Sequence, residues 1–98
     1  SAYRSYIIQN NPMWKYSLLD MMSNACLLLS DYEACIRYVV EGTKSAREIG
    51  NKNGEANMML MHGEAKRKMG LKAEAETYFL QAIGIQRKSL LPPVTGTI

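Results

Sequence analysis

The single histidine of the chain, His62, is the side chain whose ordinary pKa best suits acid–base chemistry near neutral pH. It has no second histidine as a partner and no cysteine within one helical turn, so it forms no zinc-ligand pattern. Glu55 lies seven residues before it and Glu64 two after it, and neither spacing is that of a catalytic or metal-binding pair. We therefore expect His62 to be a packed core residue.

The two cysteines, Cys26 and Cys35, lie in apolar, helix-like surroundings. Free cysteines commonly behave as small core residues, and we expect this of both, with a disulfide between facing helices as the alternative. The glycines fit neither a phosphate-binding loop nor a nucleophile elbow. The sequence thus predicts no catalytic residue, no metal site and no cofactor, and we expect a protein that is not an enzyme.

Length and charge narrow the class further. Ninety-eight residues suffice for one domain, and no apolar run reaches the length of a membrane-spanning helix. The net charge is +3, and residues 44–98 carry nine basic and five acidic side chains. This mild excess favours an acidic partner but lacks the dense basic stripe of a nucleic-acid-binding protein. The densest run, Lys66-Arg67-Lys68, is expected to be the solvated end of a helix.

Apolar residues recur at helical spacing in four segments. Together with proline, glycine and Ser30-Asp31 as boundary signals, they predict helices over Met13–Leu29, Tyr32–Ile49, Glu55–Met69 and Lys72–Lys88. Their predicted core faces include Leu18, Leu29, Val40 and Ile83. The connections are short, so consecutive helices should be antiparallel neighbours. We expect an all-α fold of stacked helical hairpins.

A shift of 40 residues aligns the first pair of helices with the second. Small residues then fall on small residues, which is the composition required where two helices cross closely. The aligned pairs are Ser23 with Gly63, Cys35 with Ala75 and Gly42 with Ala82.

Two segments resemble the Gly-Asp-Tyr-x-x-Ala turn of tetratricopeptide repeats (TPRs), namely Ser30–Ile36 and Gly70–Glu76. The resemblance implies a right-handed solenoid with repeats over residues 13–52 and 53–88. Leu19 and Met59 replace the family's tryptophan, the later proline is absent, and the period is 40 residues rather than 34. This is similar to the long-repeat members found in bacterial regulators and sensors. It implies a piece of a regulatory or signalling protein, cytoplasmic or, alternatively, the periplasmic sensor region of a membrane-bound parent.

Both ends of the sequence extend this interpretation. Residues 1–11 align with the end of a second helix, and we expect them to be the C-terminal part of a preceding repeat. Residues 89–98 contain Pro92-Pro93 and are predicted to form an extended tail. About two repeats leave apolar end faces, which the tail or a second copy in a homodimer would cover.

In a TPR-like fold the first helix of each pair lines a concave groove. The predicted groove residues mix polar and apolar groups, as a peptide-binding surface does: Asp20, Asn24, Leu27, Asn57, Leu60, Met61, Glu64, Arg67 and Lys68. Asn24 matches an asparagine with which chaperone-binding members hold a terminal carboxylate. Asp20 and Met61 replace that clamp's lysine and second asparagine, so we do not expect a carboxylate clamp.

The resemblance and the composition together predict a protein–protein or peptide interaction module. A structural spacer or dimerisation segment is the alternative. A basic helical domain that contacts nucleic acid through residues 66–68 is the third reading, and nucleic acid is not the expected partner.

Overall fold

Four α-helices make up residues 11–90, which are the part of the chain that the computed structural model describes. They are α1 (Pro12–Leu28), α2 (Tyr32–Glu48), α3 (Lys52–Lys68) and α4 (Lys72–Leu90). No strand occurs within this range, so the prediction of an all-α fold is confirmed. The segment 1–10 and the tail beyond Leu90, for which we predicted a preceding helix and an extended chain, lie outside the described residues.

The three connections share one geometry. Each has three residues, and the middle residue is left-handed, with φ of 62° at Ser30, 70° at Gly50 and 85° at Gly70. In the second connection the amide of Gly50 donates to the Arg47 carbonyl and the amide of Asn51 to the Ala46 carbonyl, the hydrogen-bond pattern of a Schellman motif. The same two bonds recur in the other turns. The chain therefore reverses direction by the same device every 20 residues.

The last residue of the first two turns also begins the next helix. The side chain of Asp31 accepts from the Ala34 amide at 3.3 Å, and that of Asn51 accepts from the Gly54 amide at 2.9 Å. These are N-cap bonds, which satisfy amides that the helix itself leaves free. The third turn has Leu71 at this position, so this side-chain cap is absent there.

Two predicted boundaries were wrong. We interpreted Asn51–Gly54 as a turn and started the third helix at Glu55, whereas α3 begins at Lys52. Asn51 caps the helix three residues earlier, and Gly54 is a helical residue at a close contact rather than a turn glycine. The fourth helix continues to Leu90 instead of ending at Lys88, so the predicted tail begins two residues too early.

Consecutive helices pack against one another, and α1 also contacts α3. Next to the third turn, the Lys66 ammonium lies 3.1 Å from the Glu74 carboxylate. One helical turn farther from that connection, the rings of His62 and Tyr78 stack with centroids 3.7 Å apart. Contacts that pair residues progressively farther from the turn identify α3 and α4 as an antiparallel hairpin.

Small residues lie where the helices approach most closely. A Cβ on Gly63 would be 2.7 Å from the Phe79 ring and 3.1 Å from the Ala75 carbonyl oxygen, and one on Gly42 would be 2.6 Å from the Met58 side chain. All six positions aligned by the 40-residue shift are buried: Ser23, Cys35, Gly42, Gly63, Ala75 and Ala82.

Two clusters of buried side chains form the core. The larger contains Cys35, Val39, Met58, Met61 and Ala65, and the smaller contains Ala56, Met59 and Ala82. Four other predicted core positions are exposed, namely Leu18, Leu29, Val40 and Ile83. Leu18 and Ile83 belong to the first and last described helices, which have described neighbours on one side only. Leu29 lies in a turn, and Val40 lies on the outer face of α2.

None of the described helices combines the length and apolar character required to span a bilayer.

The turn geometry predicts that Ser30→Gly stabilises the protein by about 0.5–1 kcal/mol, because a left-handed conformation costs an L-residue energy that glycine does not pay. Urea unfolding monitored by circular dichroism measures the change. Gly50→Ser is the matched control and should destabilise by a similar amount. A neutral or destabilising Ser30→Gly would contradict the assigned turn.

The α3–α4 crossing predicts that Ala75→Leu destabilises the protein by about 1–3 kcal/mol, because no space exists there for three further carbons. Ala73→Leu, at an exposed position of the same helix, is the control and should change stability by less than about 0.5 kcal/mol. Thermal unfolding compares the two variants. Equal melting temperatures for both would refute the tight crossing.

Candidate functional site

A groove of about 250 Å³ lies between α1 and α3. Six of the nine residues that the sequence predicted for a concave face line it: Asn24, Leu27, Asn57, Leu60, Met61 and Glu64. The two α1 residues are three apart, and the four from α3 follow the i, i+3, i+4, i+7 spacing of one helical face. Regular helix geometry therefore brings them together.

The groove has an apolar base and a polar rim. Met61 is buried in the larger core cluster, Leu27 is half-buried against that cluster, and Leu60 packs against the smaller one. Asn24 and Asn57 are exposed at the rim. A side-chain amide both donates and accepts hydrogen bonds, so this arrangement can hold an apolar side chain below and bond to a peptide backbone above.

Three predicted groove residues do not line it. Asp20 lies one helical turn before Asn24, and the Asn24 amide donates to the Asp20 backbone carbonyl at 2.9 Å. Arg67 donates through Nε to Glu64 at 3.1 Å, which holds its guanidinium over α3 itself. Lys68 is exposed at the end of α3.

Tyr16 belongs to this region, although the sequence did not indicate it. Its phenol ring lies against Gly54, where a Cβ would be 2.7 Å from the Tyr16 hydroxyl oxygen. Burial raises the pKa of Tyr16, the nearby Asp20 carboxylate raises it further, and a hydrogen bond with Asn57 opposes the shift. Tyr16 thus joins the first turn of α3 to α1 beside the rim residue Asn57.

The basic run at residues 66–68 is partly neutralised. Lys66 forms an ion pair with Glu74, and Arg67 forms one with Glu64. Only Lys68 of the three has no ion-pair partner within the described residues. The surface consequently presents less positive charge than the sequence run indicates.

His62 is buried, as its place on the predicted core face of the third helix indicates. Its ring stacks on Tyr78 at an interplanar angle of 14°. Burial lowers the pKa of His62, the Lys66 ammonium lowers it further, and the Glu74 carboxylate partly opposes them. The imidazole is therefore held in its neutral form as a packing element.

Both cysteines are free thiols. Cys35 is buried and Cys26 is half-buried against the same core cluster. Burial raises the pKa of Cys35, and the neighbouring Cys26 and Asp31 raise it further. A thiol with a raised pKa is a poor nucleophile. No group of three potential metal ligands occurs among residues 11–90.

The lowered pKa of His62 predicts a pH-dependent stability. The unfolded chain binds a proton at the ordinary histidine pKa, about 6.5, whereas the folded chain binds it only at lower pH. Stability is therefore complete above pH 6.5 and falls as the pH drops through that value, with a slope of at most about 1.4 kcal/mol per pH unit. Urea unfolding between pH 8 and pH 5.5 measures it. His62→Phe keeps the ring stack and should remove the slope, and an unchanged slope would contradict the assignment.

Comparisons with protein-family models, with curated proteins and with solved structures yield no match to this chain. The function is therefore argued from the geometry of the described residues.

Proposed function

We propose that the chain is a non-catalytic interaction module that binds a segment of a partner protein in the groove between α1 and α3. The observation that carries this proposal is the joining of an apolar base and two exposed amides in one groove. The groove would take one apolar side chain of the partner, because its volume of about 250 Å³ lies below the usual range of drug-sized pockets.

The proposal includes a TPR-like arrangement of the two helical hairpins. The 40-residue alignment of buried small residues supports it, as do the contact of α1 with α3 and the repeated turn geometry. A parent protein with a regulatory or signalling role remains part of the proposal through the resemblance alone.

The groove chemistry favours an internal peptide segment over a chain terminus. Glu64 lines the groove and Asp20 lies one turn away, so a terminal carboxylate would meet two negative side chains. A backbone amide and carbonyl of an extended segment would instead bond to Asn24 and Asn57. The nearby Arg67 is already paired with Glu64.

Self-association is a second candidate, favoured by apolar exposure on α1. Trp14, Met21 and Leu28 are 59%, 68% and 86% exposed, and they lie at helical spacing on one stripe. Light scattering over a dilution series distinguishes the two candidates. A concentration-dependent dimer that Met21→Lys dissociates would support self-association, and a monomer at every concentration would overturn it.

Nucleic-acid binding is not favoured, because Lys66 and Arg67 spend their charge on Glu74 and Glu64. Nucleic-acid binding rests on cations available to phosphates.

Selection from a displayed peptide library tests the peptide proposal. Asn24→Ala and Asn57→Ala should each weaken a selected peptide about three- to tenfold, since each removes one hydrogen-bonding group. Asn53→Ala, at an exposed position of α3 outside the groove, is the control and should leave the affinity unchanged. Failure to select any peptide, or equal binding by all three variants, would contradict the proposal.

A further inference from the structure

A second cleft lies between the start of α3, the last turn of α2 and the final turns of α4. It consists of two adjoining cavities of about 300 and 340 Å³ that share Glu55, Ile85 and Lys88. None of its residues lines the groove between α1 and α3. We call it the Glu55 cleft.

Glu55 is the unusual residue of this cleft, because it is a carboxylate only 6% exposed. Its Oε2 accepts a hydrogen bond from Arg47 Nε at 2.8 Å. Its Oε1 is buried and accepts no hydrogen bond from the described residues, and the nearest cation, Lys52 Nζ, is 3.7 Å away, beyond hydrogen-bond distance. An unpaired buried acceptor is costly, so this oxygen is a ready acceptor for a ligand N–H group.

Positive charge surrounds this single carboxylate. Arg47 and Lys88 line one cavity, and Lys52 and Lys88 line the other. Arg47 uses only Nε on Glu55, and its side chain is 57% exposed, which leaves its terminal nitrogens accessible. With three cations to one anion, a ligand that supplies only a positive donor would be repelled. A ligand with an additional anionic group would be attracted.

The wall between these charges is apolar and open. Met59 lines it beside Ile85. Gly84 adds space, because a Cβ at this position would meet no atom within 4 Å. A helix interior favours other residues over glycine, and here the glycine leaves the cleft unobstructed.

From this juxtaposition we infer that the Glu55 cleft binds a free α-amino acid with an apolar side chain. The ligand ammonium donates to Glu55 Oε1, its carboxylate lies among Arg47, Lys52 and Lys88, and its side chain packs on Met59 and Ile85. This binding is independent of the peptide groove.

The test uses the full chain and L-leucine as the probe, followed by amide chemical-shift changes in NMR spectra. Saturable shifts at millimolar concentration should centre on Glu55, Gly84 and Ile85. Leucinamide lacks the carboxylate and 4-methylpentanoate lacks the ammonium, so each should bind about tenfold or more weakly. Absence of saturable shifts, or equal binding of all three compounds, would overturn the inference.

Variants locate the binding without relying on the buried carboxylate, whose replacement can unfold the chain. Gly84→Gln adds a side chain where no atom is near and replaces a poor helix former, so it should fold well and abolish binding. Lys88→Gln, at an exposed position, should weaken leucine more than leucinamide. Glu64→Gln, in the other groove, is the control and should bind as the unmodified chain does. Undiminished binding by Gly84→Gln would overturn the assigned site.

Discussion

The close crossing of α3 and α4 at Gly63 is the contact on which the rest of the arrangement depends. The ring of Phe79 and the Ala75 carbonyl occupy the space that any side chain at position 63 would need. This contact sets the depth at which α4 lies and aligns the His62–Tyr78 stack and the Lys66–Glu74 ion pair beside it. On the opposite side Gly42 admits Met58, so α3 is fixed between two neighbours.

Because α3 is held on both sides, only one of its faces remains to form a groove with α1. That face carries the two rim and base residues Asn57 and Leu60, while Met61 turns partly into the core. The first turn of α3 is in turn positioned by Tyr16 against Gly54. The candidate site is thus a consequence of packing between helices rather than of any special loop.

Much of the fold could be predicted, because its signals are local. Ser30, Gly50 and Gly70 break helical periodicity, and the chain reverses at each of them. The start of α3 could not be predicted correctly, because the Asn51 cap and the Gly54 contact look like turn chemistry in sequence. Val40 was wrongly assigned to the core, since periodicity finds an apolar face but not whether a neighbour covers it. The groove residues followed from helical spacing alone, whereas Tyr16 and the pairing of Glu55 with Arg47 depend on contacts between different helices.

The equal spacing of the three turns constrains how such a chain can change length. Each 20-residue unit reverses the chain, so deleting a single unit would make every later helix run in the opposite sense relative to α1. Its groove residues would then face the wrong neighbours. Deleting or duplicating two units preserves every direction and every pairing of small residues. Viable insertions and losses in the gene should therefore come in multiples of 40 codons, and the helical hairpin, rather than the helix, is the heritable unit.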